Sequence, residues 1–140
     1  MGSMIDEFAK TQPQFEKPST EPWFPEDITE STHDEVGQLL GLYTKWINYA
    51  SQEEAKDSAR LGILKEDLEI ESAKELVKIA QDTTLKAAGE RNAYVKQLPS
   101  ISKLMREIAQ LEGFVRIEKS VLNNFESRYA SASRELTRRG

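Results

Sequence analysis

From Thr32 onward, apolar residues recur at three- and four-residue steps, the spacing that places them along one face of an α-helix. Val36, Leu39, Leu40, Tyr43, Trp46, Ile47 and Ala50 form the first such stripe. Ahead of it stands Thr32-His33-Asp34-Glu35. In this T-x-x-E spacing, hydroxyl and carboxylate can satisfy each other's orphan backbone donors, which predicts a helix start. Residues 51–60 interrupt the stripe with Gln52, Glu53, Glu54, Lys56 and Asp57 but contain no proline, so a turn near Ser51 and a continuous helix both stay open. The pattern resumes at Leu61, Leu64, Leu68, Ala73, Leu76, Val77, Ala80, Leu85 and Ala88. A phase slip falls between Leu68 and Ala73. Thr83, Thr84 and Gly89 lower helix propensity, and Pro99 disfavours helical backbone at Leu98, so this element is expected to end between Gly89 and Leu98.

The last segment carries a seven-residue repeat. Ile101, Ile108, Val115, Leu122, Tyr129 and Leu136 share one position, and Leu104, Leu111, Glu118, Phe125 and Ala132 share the position three residues later. Glu118 alone breaks an otherwise apolar coiled-coil seam. A helix over residues 102–138 is on the order of 55 Å long, more than one short partner helix covers. The expectation is an all-α chain of two or three long amphipathic helices, over about 32–58, 60–95 and 101–138, forming a coiled-coil-like, oligomeric helical bundle. Copies of the chain are expected to meet at Ile101, Leu104, Ile108, Leu111, Val115, Leu122, Phe125, Tyr129 and Leu136.

Upstream, the pattern is lost. The opening Met1-Gly2-Ser3-Met4 reads as a cloning remnant. Residues 5–31 contain Pro13, Pro18, Pro22 and Pro25, which predict a disordered acidic arm ahead of a single helical oligomerisation domain over 32–140. Within the arm, Pro22-Trp23-Phe24-Pro25 plants two adjacent aromatics. Trp23 and Phe24 are candidates for docking on a partner protein, a second subunit or the chain's own helices.

Charge adds a division that hydropathy does not show. The net formal charge is −5 over 140 residues. Residues 1–40 hold nine acids against two lysines, while residues 91–140 hold ten Lys or Arg against five Glu. A basic C-terminal third inside an acidic chain suggests either a polyanion-binding face or pairing of opposite ends. Lys103, Arg106, Arg116, Arg134 and Arg138 fall away from the seam and Arg128 and Arg139 near its edges, where guanidiniums can grip successive phosphates. The plainer role for them is solubility and pairing with Glu107, Glu112, Glu126 and Glu135. Stacking groups for bases would come from Tyr43, Trp46, Tyr94 or Tyr129.

Catalytic chemistry finds no anchor. There is no cysteine and one histidine, His33, which argues against disulfides, thiol nucleophiles and Cys- or His-built zinc sites. No phosphate-cradling glycine motif is present, and Glu66, Asp67, Glu69 and Glu71 are spaced as a solvated helix face. A non-enzymatic protein without cofactor or metal is expected. With no bilayer-length apolar run and no basic-then-apolar leader, a cytoplasmic setting is expected too.

Leu42-Tyr43-Thr44-Lys45-Trp46-Ile47-Asn48 resembles the L-Y-S-K-W-L-N type segment of UvsY-type recombination mediators of tailed bacteriophages. The resemblance implies a small helical homo-oligomer in the host cytoplasm that binds single-stranded DNA, meets a single-strand binding protein and loads a RecA-like recombinase. Downstream, the family tends to carry a basic Leu-Lys-Ala-Arg type run where this chain has Leu68-Glu69-Ile70-Glu71. DNA contact therefore falls to Lys45 with Lys103, Arg106, Arg116, Arg128, Arg134, Arg138 and Arg139. Two other functions fit the same pattern. One is a structural coiled-coil protein of a virion without nucleic-acid binding, and the other is an adaptor or inhibitor acting through Trp23 and Phe24.

Overall fold

The computed structural model describes residues 14–81 and 87–140. The protein is all-α: after a short 3-10 turn at Ile28–Glu30 come α1 (His33–Ala80), α2 (Ala88–Gln97) and α3 (Pro99–Arg139), with the long helices α1 and α3 packed against each other. Among the described residues no helix is long and apolar enough to cross a membrane.

The start of α1 follows from its first four residues. The Glu35 backbone N–H donates to Thr32 Oγ1 at 3.1 Å and the Thr32 N–H donates to Glu35 Oε1 at 2.9 Å. This is the reciprocal arrangement that the T-x-x-E spacing predicts. The Thr32 backbone N–H first, and the Thr32 side chain after it, hold the Glu35 carboxyl below its ordinary pKa. Just upstream, Asp27 Oδ1 accepts from the Thr29 hydroxyl and from its N–H at 3.0 Å, fixing the 3-10 turn and lowering the Asp27 pKa.

The expected interruption between 58 and 60 is absent, and α1 is one helix of 48 residues. Glu, Ala, Lys and Gln are good helix formers, so the polar run across 51–60 loses apolar periodicity without losing helix propensity. At its far end α1 stops at Ala80, well short of the expected residue 95, with Gln81 in a turn. Thr83, Thr84 and Leu85, invoked for the second element, lie outside the described residues. Residues 88–97 form the separate helix α2, which ends at Leu98 in extended backbone. Pro99 follows and disfavours helical geometry in the residue before it. Pro99 itself opens α3, the position where its missing N–H removes no helical hydrogen bond.

The chain divides into two compact units. One comprises, among the described residues, 14–56 together with 115–140. Its core is Val36, Leu39, Tyr43 and Trp46 from α1 with Phe125 and Ala132 from α3, and Phe24, Ile28 and Leu136 pack against it. Phe125 meets Tyr43 and Trp46 with ring centroids 5.8 and 5.7 Å apart. Each fully buried aliphatic side chain here contributes roughly 1.5–3 kcal/mol. The other unit, residues 57–114, buries Ile79 of α1, Val95 of α2 and Ile101 of α3, with Leu68, Leu76 and Leu98 around them.

Residues 14–31 are not a disordered tail but are held by hydrogen bonds to α1 and α3, while residues 5–13 lie outside the described residues. The α3 seam is covered in large part within the chain. Ile101, Ile108, Val115, Phe125 and Ala132 are buried within the chain itself, Leu104, Leu111, Leu122 and Leu136 are half-buried, and Tyr129 is exposed. The physical reason is that α1, a single helix of 48 residues, packs against α3 and covers this face.

Candidate nucleic-acid interface

The arm segment 14–31 is held to its unit by side chains that grip its backbone. Gln52 of α1 brackets Phe15: its Oε1 accepts from the Phe15 N–H at 2.7 Å and its Nε2 donates to the Phe15 carbonyl at 3.0 Å. The Trp46 indole N–H donates to the Thr20 carbonyl at 2.9 Å, and the Tyr43 hydroxyl donates to the Trp23 carbonyl at 2.6 Å. At the far end of α3 one Arg139 Nη reaches the carbonyls of Ile28, Thr29 and Ser31, the last at 2.6 Å. Proline-rich backbone cannot pair with itself, so its carbonyls need external donors, and the helices supply them.

This arrangement gives two of the expected DNA-binding arginines partners within the chain. Arg128 donates to the Tyr43 hydroxyl at 2.8 Å. Its guanidinium also lies over the Phe24 ring, 6.0 Å from the centroid, and over the Tyr43 ring at 5.8 Å. Both are cation–π distances. Arg139 is held between the arm carbonyls and Glu135, to which its Nε donates at 2.8 Å. Arg138 binds the same carboxylate through both Nε and Nη, though its side chain remains largely exposed. Glu135 is 5 % exposed, and hydrogen bonds from Arg138 and then Arg139 hold its carboxyl down to about 2. Such charge-assisted bonds favour the ionised carboxylate. Lys103 lies 4.0 Å from Glu107. A surface pair of this kind has little energetic weight.

Lys45, Arg106, Arg116 and Arg134 stay exposed and make no ion pair among the described residues. Arg106 belongs to the unit of residues 57–114 and the other three to the arm-bearing unit. In that second unit, Arg116, Ser120, Asn123, Ser127 and Arg134 follow one another at helical spacing and are all exposed, while Phe125 and Ala132 are buried on the opposite face of α3. Glu126 and Glu135 fall off this line, which therefore carries two guanidiniums, two hydroxyls and an amide with no carboxylate among them. The two arginines are about 27 Å apart along the helix axis.

Aromatic candidates divide in the same way. Tyr43 and Trp46 are buried in the core and offer no face for stacking, whereas Tyr94 and Tyr129 are exposed. Phe24, one of two expected partner-docking aromatics, packs against the chain's own core, while Trp23 is 42 % exposed. Besides Tyr129 of the predicted seam, exposed apolar side chains include Phe114, Ile117 and Val121 on α3 and Ile70 and Val77 on α1. Compared with known proteins, the chain matches no family model, no curated protein and no solved structure. Within residues 42–48, Tyr43 and Trp46 serve the arm and core, and Lys45 is left on the surface.

Proposed function

We propose that the protein is a non-enzymatic, single-stranded DNA-binding recombination mediator that helps a RecA-like recombinase nucleate on the strand. The observation that carries this reading is the carboxylate-free line from Arg116 to Arg134 on the exposed face of α3. A chain of net charge −5 repels a polyanion on average, so binding needs a local face where cations are neither neutralised nor interleaved with acids. Guanidiniums at each end of that line suit phosphate oxygens, and Ser120, Asn123 and Ser127 between them are phosphate hydrogen-bonding groups. Few contacts per chain make the affinity of one copy weak, and several copies on one strand multiply it. Self-association in this reading runs through exposed side chains such as Ile117 and Val121, not through the buried seam. The likeness of residues 42–48 to UvsY-type mediators supports the recombinase step.

Light scattering coupled to size exclusion, with and without an oligothymidylate at low salt, tests the binding. A complex heavier than the protein alone is expected, and its loss in Arg116→Glu/Arg134→Glu. Stimulation of recombinase turnover on coated single strands tests the mediator role. A second reading, a structural helical assembly protein, is favoured by the largely exposed side chains of Ile117 and Val77. Exposed apolar groups of this size are candidates for contact with other chains, so this reading predicts self-association with no oligonucleotide retained.

A further inference from the structure

The arm does not lie flush on α1. Tied at Phe15 by Gln52, at Thr20 by Trp46 and at Trp23 by Tyr43, the segment between bows away from the helix and leaves a cleft of about 910 Å³. One wall is the α1 face carrying Gln38, Gly41, Lys45 and Asn48, and the other holds Lys17 and the Trp23 indole. Gly41 sits in the middle of a helix, where glycine is less favourable than alanine by about 1 kcal/mol. A Cβ added there would meet nothing within 4 Å, so no contact inside the chain requires the glycine. Its effect is to deepen the cleft.

The chemistry that converges on this space is specific. Among the described residues, Lys17 and Lys45 make no ion pair, Glu16 is the one carboxylate in the cleft lining, and Trp23 lines it while remaining 42 % exposed. Gln38 and Asn48 carry amides, each both donor and acceptor. We propose that the cleft holds one nucleotide unit of a single strand, with its base stacked on Trp23, its phosphate drawn to Lys17 and Lys45, and its base edge read by the Gln38 or Asn48 amide. This rests on the nucleic-acid reading above, and places on the arm a second contact independent of the α3 line.

The chain has two tryptophans, whose indole N–H signals can be followed by NMR and assigned with Trp23→Phe. Addition of an oligothymidylate is expected to move the Trp23 signal and leave that of Trp46, which is bonded to the Thr20 carbonyl, in place. Thymidine monophosphate should move the same signal and inorganic phosphate should not. Gly41→Leu fills the cleft floor with a better helix former, and it and Lys45→Gln should each weaken oligothymidylate binding about tenfold. Unchanged affinity in Gly41→Leu, with a static Trp23 signal in a protein that still binds the strand, overturns the cleft while leaving the α3 line intact. Binding that survives Arg116→Glu/Arg134→Glu but is lost in Gly41→Leu keeps the cleft and overturns the line. Absence of any oligothymidylate or monophosphate binding overturns both.

Discussion

Arg128 donates to the hydroxyl of Tyr43 at 2.8 Å across 85 residues of sequence, and that hydroxyl in turn donates to the carbonyl of Trp23. A fully buried phenol thus joins three segments, α3, α1 and the arm, at one point. The arginine is thereby a structural group: its charge is offset by two ring faces and a hydroxyl instead of by a phosphate.

Tyr43→Phe keeps the ring packing and removes both hydrogen bonds, leaving the Trp23 carbonyl and one Arg128 donor without their partner. A loss of about 1–3 kcal/mol is expected in chemical denaturation. Faster hydrogen exchange should follow in residues 14–31, with α3 little changed. Arg128→Met should loosen the same segment, because its guanidinium bonds the Tyr43 hydroxyl that holds the Trp23 carbonyl.

Ile101 and Ile117 distinguish a seam buried within the chain from one shared between chains. Ile101 is 1 % exposed. Ile101→Ala should therefore lower stability by about 2–5 kcal/mol at any protein concentration. Ile117→Asp alters an exposed position and should leave denaturation midpoints nearly unchanged while reducing the mass seen by light scattering at high concentration.

Glu135 makes the end of α3 acid-sensitive. Its carboxyl pKa is lowered to about 2 from 4.5 in the folded protein. Its bonds to Arg138 and Arg139 therefore contribute fully above the ordinary value, and that contribution is lost as pH falls through the folded-state value. Thermal midpoints of the wild type should drop across this window more steeply than those of Glu135→Gln, which has no proton to gain there. Parallel curves would remove the assigned role.

Much of the fold was readable because it is local. The capping box at Thr32 and Glu35, the stripe from Val36 to Ala50 and the restraint of Pro99 on Leu98 each act within a few residues, and each is present as read. The apolar character of Ile101, Ile108 and Val115 was equally plain, but periodicity says only that a stripe is covered, not by which chain. Residues 51–60 left two outcomes open because apolar spacing is lost there, while most of their residue types favour helix. The arm anchors were out of reach: Arg139 meets Ser31 across 108 residues, and no local pattern pairs a terminal arginine with proline-rich backbone carbonyls. Among the proposed site residues, sequence alone singled out Lys45, Arg116 and Arg134, but could not separate them from Arg128 and Arg139, whose duties depend on what folds against them.

Salt dependence of strand binding tests the central claim most directly, with oligothymidylate affinity measured by fluorescence anisotropy over a range of salt concentrations. Each phosphate neutralised on a single strand contributes about 0.7 to the slope of log affinity against log salt. Neutralising both ends of the α3 line in Arg116→Gln/Arg134→Gln should therefore flatten the slope by about 1.4 per bound chain, whereas Arg128→Met should leave it as in the wild type. Identical slopes for wild type and the double variant would contradict the account.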